Sequence, residues 1–374
     1  MGPKPDFSFA VPGTQATVHV FGCEHCEPQP HIGEFILRNR PQAVVVETAI
    51  VPEHGAMPGN IITCNDTITD PAAAFFMRMF CQVADRLRVE DGDPWESELW
   101  KMITKNYNGE QLAYVGALTT GAHLVFGDRP KDITYRRLLH LTTLKQLDEG
   151  YSHQCVANAT AILGLPPSPY QPESLPVSEQ IMMQEREAVM LQVVHEVCKG
   201  AHPHLIDLPP FTSVVMVLGN DHMTGLRHLL DTNKWQQMVG WGPLASSDLL
   251  FMPGMVQHES EEHAASDMGL RRGLLASMMR LSVNQQVMED MDCVLGPVPE
   301  RHRLAYDAVN EVYGSPRMKL ACLPAALLAQ VVTGHGCDME EVLQPMRDVR
   351  PSNGGPGFSE EMVTYVRALN YDLD

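Results

Sequence analysis

Two histidines sit in the same local setting. His25 lies three residues after Gly22 in Gly22-Cys-Glu-His25, and His222 lies three after Gly219 in Gly219-Asn-Asp-His222. Each glycine closes an apolar, largely β-branched run. Glu47 ends a third such run, A-V-V-V, and Asp128-Arg129 follow a fourth, L-V-F-G. Two imidazoles and a carboxylate are a sufficient protein ligand set for a divalent ion that keeps a position open for water. Such an ion lowers the pKa of that water and polarises a carbonyl, with a neighbouring glutamate as general base. Arg129 or Arg186 would then stabilise a developing oxyanion. Each feature alone has a plainer reading: a satisfied histidine, a structural strand-end glutamate, or a turn ion pair worth little when exposed. The doubled G-x-x-H, each copy closing a buried-type strand, favours the chemical one.

These groups meet only if the strands carrying them share an edge. Residues 14–22 read as a strand, 30–40 as a short helix stopped by Pro41, and 42–48 as a strand buried on both faces. Strand, helix, strand is the βαβ unit of a parallel sheet, and ligands of such sheets bind beyond the carboxyl ends of the strands. Further strands are expected at 122–127 and 213–219, and an irregular loop at 51–70. Helices are expected at 71–89, 94–104, 110–120 and 131–147, and a proline-rich linker at 164–176. Another helix is expected at 179–199, with Ser178 as its cap. The expected fold is therefore α/β, a largely parallel central sheet with flanking helices.

On the 179–199 helix, Met182, Val189, Val193 and Val197 fall in one stripe at roughly 100° per residue, and Arg186 falls inside it. A guanidinium on a buried face must find an acceptor, so Arg186, flanked by Glu185 and Glu187, is expected in a buried network. Cys23 and Cys26 offer a competing zinc or redox reading. A structural zinc site needs a second pair, however, and no other C-x-x-C occurs. Pro28 and Pro30 also oppose the long helix that a thioredoxin-like pair opens.

Composition narrows the function classes. The chain has 374 residues, 44% of them hydrophobic, enough for a substantial core. Its 27 Lys+Arg against 46 Asp+Glu give a formal charge of −19, which repels phosphate backbones and argues against nucleic acid. Nine scattered cysteines suit free thiols in a reducing compartment. The best apolar stretch, residues 320–332, is shorter than the about 20 residues a span needs and contains Pro324 and Gln330. The reading is a soluble, cytoplasmic protein.

The motifs fall in a specific order. Gly22-x-x-His25 is followed by Glu47, Gly127-Asp128-Arg129-Pro130, Ile133-Thr134 with Arg136-Arg137, Glu185-Arg186-Glu187, and Gly219-x-x-His222 with Gly225. In order and spacing this set resembles the TraB family, related to the Tiki metalloproteases and more distantly to the erythromycin esterase and ChaN group. The resemblance covers roughly residues 14–235. It implies a metal site at His25, Glu47 and His222 for a divalent ion such as Mn, Co or Zn. It also implies catalytic roles for Glu47, Asp128, Arg129, Glu185 and Arg186. By likeness to the Tiki branch the reaction would be hydrolysis of a peptide or other carbonyl substrate. The TraB branch implies, as an alternative, a non-catalytic adaptor at a mitochondrial or other organelle outer-membrane surface, by peripheral association. Cys23, where the pattern commonly has threonine, and Cys26 depart from the family.

The TraB-like α/β domain is expected at 14–240. Residues 241–374 lie outside the likeness and read as a mostly helical region, with helices at 270–281, 301–313, 318–332 and 360–369. Its first half is rich in methionine, and no function is assigned to it.

Overall fold

The strand Ala43–Val46 is buried along its whole length, which requires helices on both faces of its sheet. The computed structural model describes residues 2–24, 27–47, 61–63, 71–89, 92–129, 134, 137–138, 141–166, 170–202, 205, 207–238, 331–332 and 334–336. Its strands are β1 (Phe7–Ala10), β2 (Thr17–Cys23), β3 (Ala43–Val46), β4 (Ile61–Thr63), β5 (His123–Phe126) and β6 (Ser213–Gly219). They form one sheet in the order β1-β2-β6-β3-β5-β4. Among the described residues only the β1–β2 pairing is antiparallel; β2, β6, β3, β5 and β4 run parallel. The fold is α/β with a mixed, mostly parallel sheet.

Helices follow the strands. They are α1 (Pro30–Asn39), α2 (Pro71–Val89), α3 (Glu98–Ile103), α4 (Gly109–Thr120), α5 (Leu144–Ile162), α6 (Glu185–Lys199), α7 (Asn220–Thr232) and α8 (Trp235–Met238). The chain divides into two units. One comprises Met1–Lys131 with Met182–Ala245, the other Asp132–Ile181 with Ser246–Asp374.

In the first unit, alternate residues of the parallel strands feed two cores. Phe21, Val44, Val46, Leu124, Phe126, Val215 and Val217 pack with Ile32 and Ile36 of α1 and with Leu112, Val115 and Leu118 of α4. The opposite face sends Val18, Val20, Val45, Val214, Met216 and Leu218 to Met190, Leu191 and Val194 of α6 and Leu226 and Leu229 of α7. The Asn108–Gln111 capping box fixes where α4 begins. Such a cap contributes about 1 kcal/mol, whereas each fully buried Leu or Val contributes about 1.5–3 kcal/mol. Packing therefore holds α4, and the cap sets its register. Pro30 at the start of α1 and left-handed Arg40 at its end bound that helix as Pro41 leads one to expect.

In the second unit, Leu147, Tyr151, Cys155 and Ala159 form a buried stripe on α5. The helix expected over 131–147 does not run through: Thr143 and Gln146 make a capping box that starts α5 at Leu144. The helix expected over 179–199 is also divided, into a single turn at Val177–Glu179, a π-helical segment at Gln180–Gln184 and α6. Ser178 does not cap it; buried inside the turn, its hydroxyl donates to the Gln146 carbonyl at 3.5 Å. The 51–70 loop contains β4, and β1 has no counterpart among the expected strands. Beyond residue 238 only 331–332 and 334–336 are described. The helices expected at 270–281, 301–313 and 360–369, and most of 318–332, lie outside the described residues.

Candidate functional site

Because β2, β6, β3 and β5 are parallel neighbours, their carboxyl ends form one edge. In the register, Cys23 stands beside Gly219 and Val46 beside both Val217 and Phe126. Glu47 continues β3, donating its backbone N–H to the Val217 carbonyl at 3.1 Å. Its side chain then turns across the end of β6, where Oε2 accepts the Gly219 N–H at 2.5 Å. Gly219 is the N-cap residue of α7, so the carboxylate also faces the positive end of that helix.

Arg186 ties this carboxylate to Asp128. Its Nη2 donates to Glu47 Oε1 at 2.8 Å and to Asp128 Oδ2 at 2.6 Å, and its Nε reaches Asp128 Oδ1 and Oδ2 at 3.1 and 3.0 Å. Nη1 donates to the Met182 carbonyl at 3.3 Å. Burial opposes the guanidinium charge, but the Asp128 and Glu47 carboxylates outweigh it and hold Arg186 protonated. Asp128 is 3% exposed and also accepts the Arg129 N–H at 2.7 Å. Arg129 donates through Nη1 to Glu185 Oε2 at 2.6 Å.

His222, buried in the first turn of α7, lies between two carboxylates. Nε2 is 3.2 Å from Glu47 Oε1 and Nδ1 is 3.2 Å from Glu187 Oε1. Burial and the nearby Arg186 press its pKa down. Glu47 and Glu187 act the other way and win, raising it to about 9.

Six of the seven residues expected to act, Glu47, Asp128, Arg129, Glu185, Arg186 and His222, are thus joined in one network, Arg129 through its backbone N–H to Asp128 and its side chain to Glu185. His25 and Cys26 lie outside the described residues. Cys23 is buried at the end of β2, and burial together with Glu110, Glu47 and Glu24 pushes its thiol above the usual range. That environment disfavours the thiolate a zinc or redox role needs.

Sequence reasoning misses two residues. Glu187 reads only as a neighbour of Arg186, yet it is 1% exposed. The most buried stripe of α6 runs Glu187, Met190, Leu191, Val194 and Cys198, one position round from the stripe read off the sequence. An acid at the head of an i, i+3, i+4, i+7, i+11 apolar pattern is the available signal. Gly225 falls within the motif set without a role of its own; in the structure a Cβ there would lie 2.1 Å from Glu187 Oε2.

The donor set bears on a metal. Two ligand atoms held at zinc distances lie roughly 3.3 Å apart at a tetrahedral angle. The 3.2 Å between His222 Nε2 and Glu47 Oε1 therefore serves a hydrogen bond or a shared cation equally. Glu187 Oε2 is buried without a hydrogen-bond partner among the described residues, which leaves local negative charge for a cation to offset. Among the described residues no group of three or more His, Cys, Asp or Glu could hold a metal ion; Glu47 and His222 are the described part of the expected set. No family model, curated protein or solved structure matches this chain. What the structure offers a functional reading is the edge itself: a largely buried network of carboxylates, arginines and histidine at the carboxyl end of a mostly parallel sheet.

Proposed function

We propose that the chain is a metal-dependent hydrolase of the TraB/Tiki type, peptidase-like, acting on peptides or a related carbonyl substrate. The observation that carries this reading is the placement of His222 Nε2 3.2 Å from Glu47 Oε1 at the shared strand edge, with a second carboxylate, Glu187, behind the imidazole. Support also comes from the ordered motif set that resembles TraB. His222 and Glu47, together with His25, would hold a divalent ion such as Mn, Co or Zn. When bound, the ion supplies Lewis acidity to a substrate carbonyl and to the attacking water.

The remaining work falls to the chain. Arg186 and the Gly219 N–H fix the Glu47 carboxylate from two sides. Asp128 holds Arg186 in a forked contact, so the ligand carboxylate cannot rotate away. Arg129, oriented by Glu185, brings fixed positive charge toward a developing oxyanion. A chain of charge −19 disfavours strongly acidic substrates.

One observation favours a second reading. Both Glu47 oxygens and both His222 nitrogens already have protein partners, the pattern of a closed ion-pair network in a non-catalytic adaptor. Such an adaptor would work in the cytoplasm or at a mitochondrial or other organelle outer-membrane surface. No described helix is long and apolar enough to cross a membrane.

The two readings separate in one experiment. The purified chain is incubated with a peptide library, with and without a chelator, and cleavage is read by mass spectrometry. The hydrolase reading predicts cleavage that the chelator abolishes and Mn, Co or Zn restores, and that Glu47→Gln eliminates. Cleavage that is absent throughout, together with normal cellular function of a His25→Ala, His222→Ala variant, would establish the adaptor.

A further inference from the structure

Glu187 is among the most deeply buried ionisable side chains of the first unit, 2% exposed. Its Oε1 lies 3.2 Å from His222 Nδ1, while its Oε2 makes no hydrogen bond among the described residues. A buried carboxylate with an oxygen unpartnered is costly to keep, so a purely structural position would be better filled by an apolar residue.

The opposing helix is cut away to admit this side chain. A Cβ on Gly225 would fall 2.1 Å from Glu187 Oε2 and 2.5 Å from its Cδ and Oε1. Gly225 follows His222 by three residues and shares its face of α7. One turn of helix therefore presents both the imidazole and the notch that lets Glu187 reach it.

The chemistry of ligation explains the arrangement. An imidazole that binds a cation through Nε2 is neutral and carries its proton on Nδ1, and that proton needs an acceptor to fix the tautomer and the ring plane. Glu187 Oε1 is on the Nδ1 side, and Glu47 is on the Nε2 side.

We propose that Glu187 is the positioning residue of His222: it accepts a hydrogen bond from Nδ1–H, directs the Nε2 lone pair toward a cation shared with Glu47 Oε1, and depends on Gly225 for its place. The inference rests on the metal reading of Glu47 and His222.

The test uses the full chain, wild type and variants, after chelation and dialysis. Co²⁺ is titrated by visible absorption and Zn²⁺ by competition with a chromophoric chelator. His222 is followed in the zinc-loaded protein by nitrogen-15 NMR of labelled histidine. Glu187→Gln keeps the shape but donates or accepts only as a neutral amide. It is expected to fold with wild-type circular dichroism, to lose about 10–100-fold in affinity for both ions, and to shift the His222 Nδ1–H resonance and the cobalt spectrum. Glu187→Asp, which keeps the charge, recovers part of the affinity. Gly225→Ala displaces the carboxylate and behaves like Glu187→Gln; if it fails to fold, Glu187→Gln carries the test alone. Glu187→Gln that binds both ions as wild type does, with an unchanged Nδ1–H resonance, overturns this inference and leaves the metal reading standing. Wild-type protein that binds neither Co²⁺ nor Zn²⁺ overturns both.

Discussion

Arg186 holds the buried Asp128 and the half-buried Glu47 carboxylates with one guanidinium, so its loss should cost more than a surface ion pair. Removing one partner of a buried pair typically costs about 3–5 kcal/mol, because the other charge stays buried and unpaired. Arg186→Met is expected to lose stability in that range by urea denaturation of the metal-free protein; a loss under about 1 kcal/mol would show that Asp128 and Glu47 are solvated. His222 gives a pH dependence of definite sign. Its folded pKa is raised to about 9, above an unfolded value near 6.5, so the folded state favours the proton. Its contribution is fully present below about pH 6.5 and is lost as the pH climbs through 9. Each tenfold difference in proton affinity between the folded and unfolded states is worth about 1.4 kcal/mol. The chelated protein should therefore be on the order of 3 kcal/mol less stable at pH 10 than at pH 6 from this group. His222→Gln should flatten that limb, and an unchanged slope would assign it to other groups. Buried thiols behave differently. Burial pushes Cys155 and Cys198 up to about 12 and Cys23 higher still. All three should resist alkylation at pH 8 in the native state and react once denatured, as peptide mapping would report.

At the level of elements, the first G-x-x-H glycine has a packing reason. A Cβ on Gly22 would lie 2.1 Å from Asn220 Oδ1 and 3.0 Å from Met223 Cγ, so the side chains that open α7 pack against β2 where that position is bare. Gly22→Ala is expected to cost about 1–3 kcal/mol by overpacking, and to weaken zinc binding by displacing the turn that carries His222. Adding Asn220→Ala should recover part of the stability, a coupling that a double-mutant cycle measures; strictly additive losses would mean the two positions do not meet. The buried strands are legible in the sequence because AVVV and SVVMVLG are apolar on both faces, a pattern only a covered sheet uses. β1 is not, since it is a four-residue edge strand half exposed along its length. Nor is β4, a three-residue strand defined by its pairing with β5 rather than by its composition. The break at Thr143 does have a written signal, Thr-x-x-Gln, which the apolar spacing across 131–147 obscures. The π-helical segment ahead of α6 has no comparable signature, because the same residues suit an α-helix.

For the molecule as a whole, the site follows from strand order. β6, last of the described strands in sequence, inserts between β2 and β3, and that insertion brings Gly219 beside Cys23 and Glu47 beside His222. The convergence of strand ends is legible from the repeated motif. The insertion is not, because order within a sheet is set by tertiary packing that no single strand encodes. Glu187 escapes for a similar reason: its burial depends on Gly225 of another helix. What the ion-pair network does is decided most directly by the metal content of the purified full chain, measured by elemental analysis beside a His25→Ala, His222→Ala variant of unchanged circular dichroism. Stoichiometric divalent metal in the wild type and its loss in the variant are the expected result. Full retention of metal by the double variant would contradict a metal centre at this strand edge.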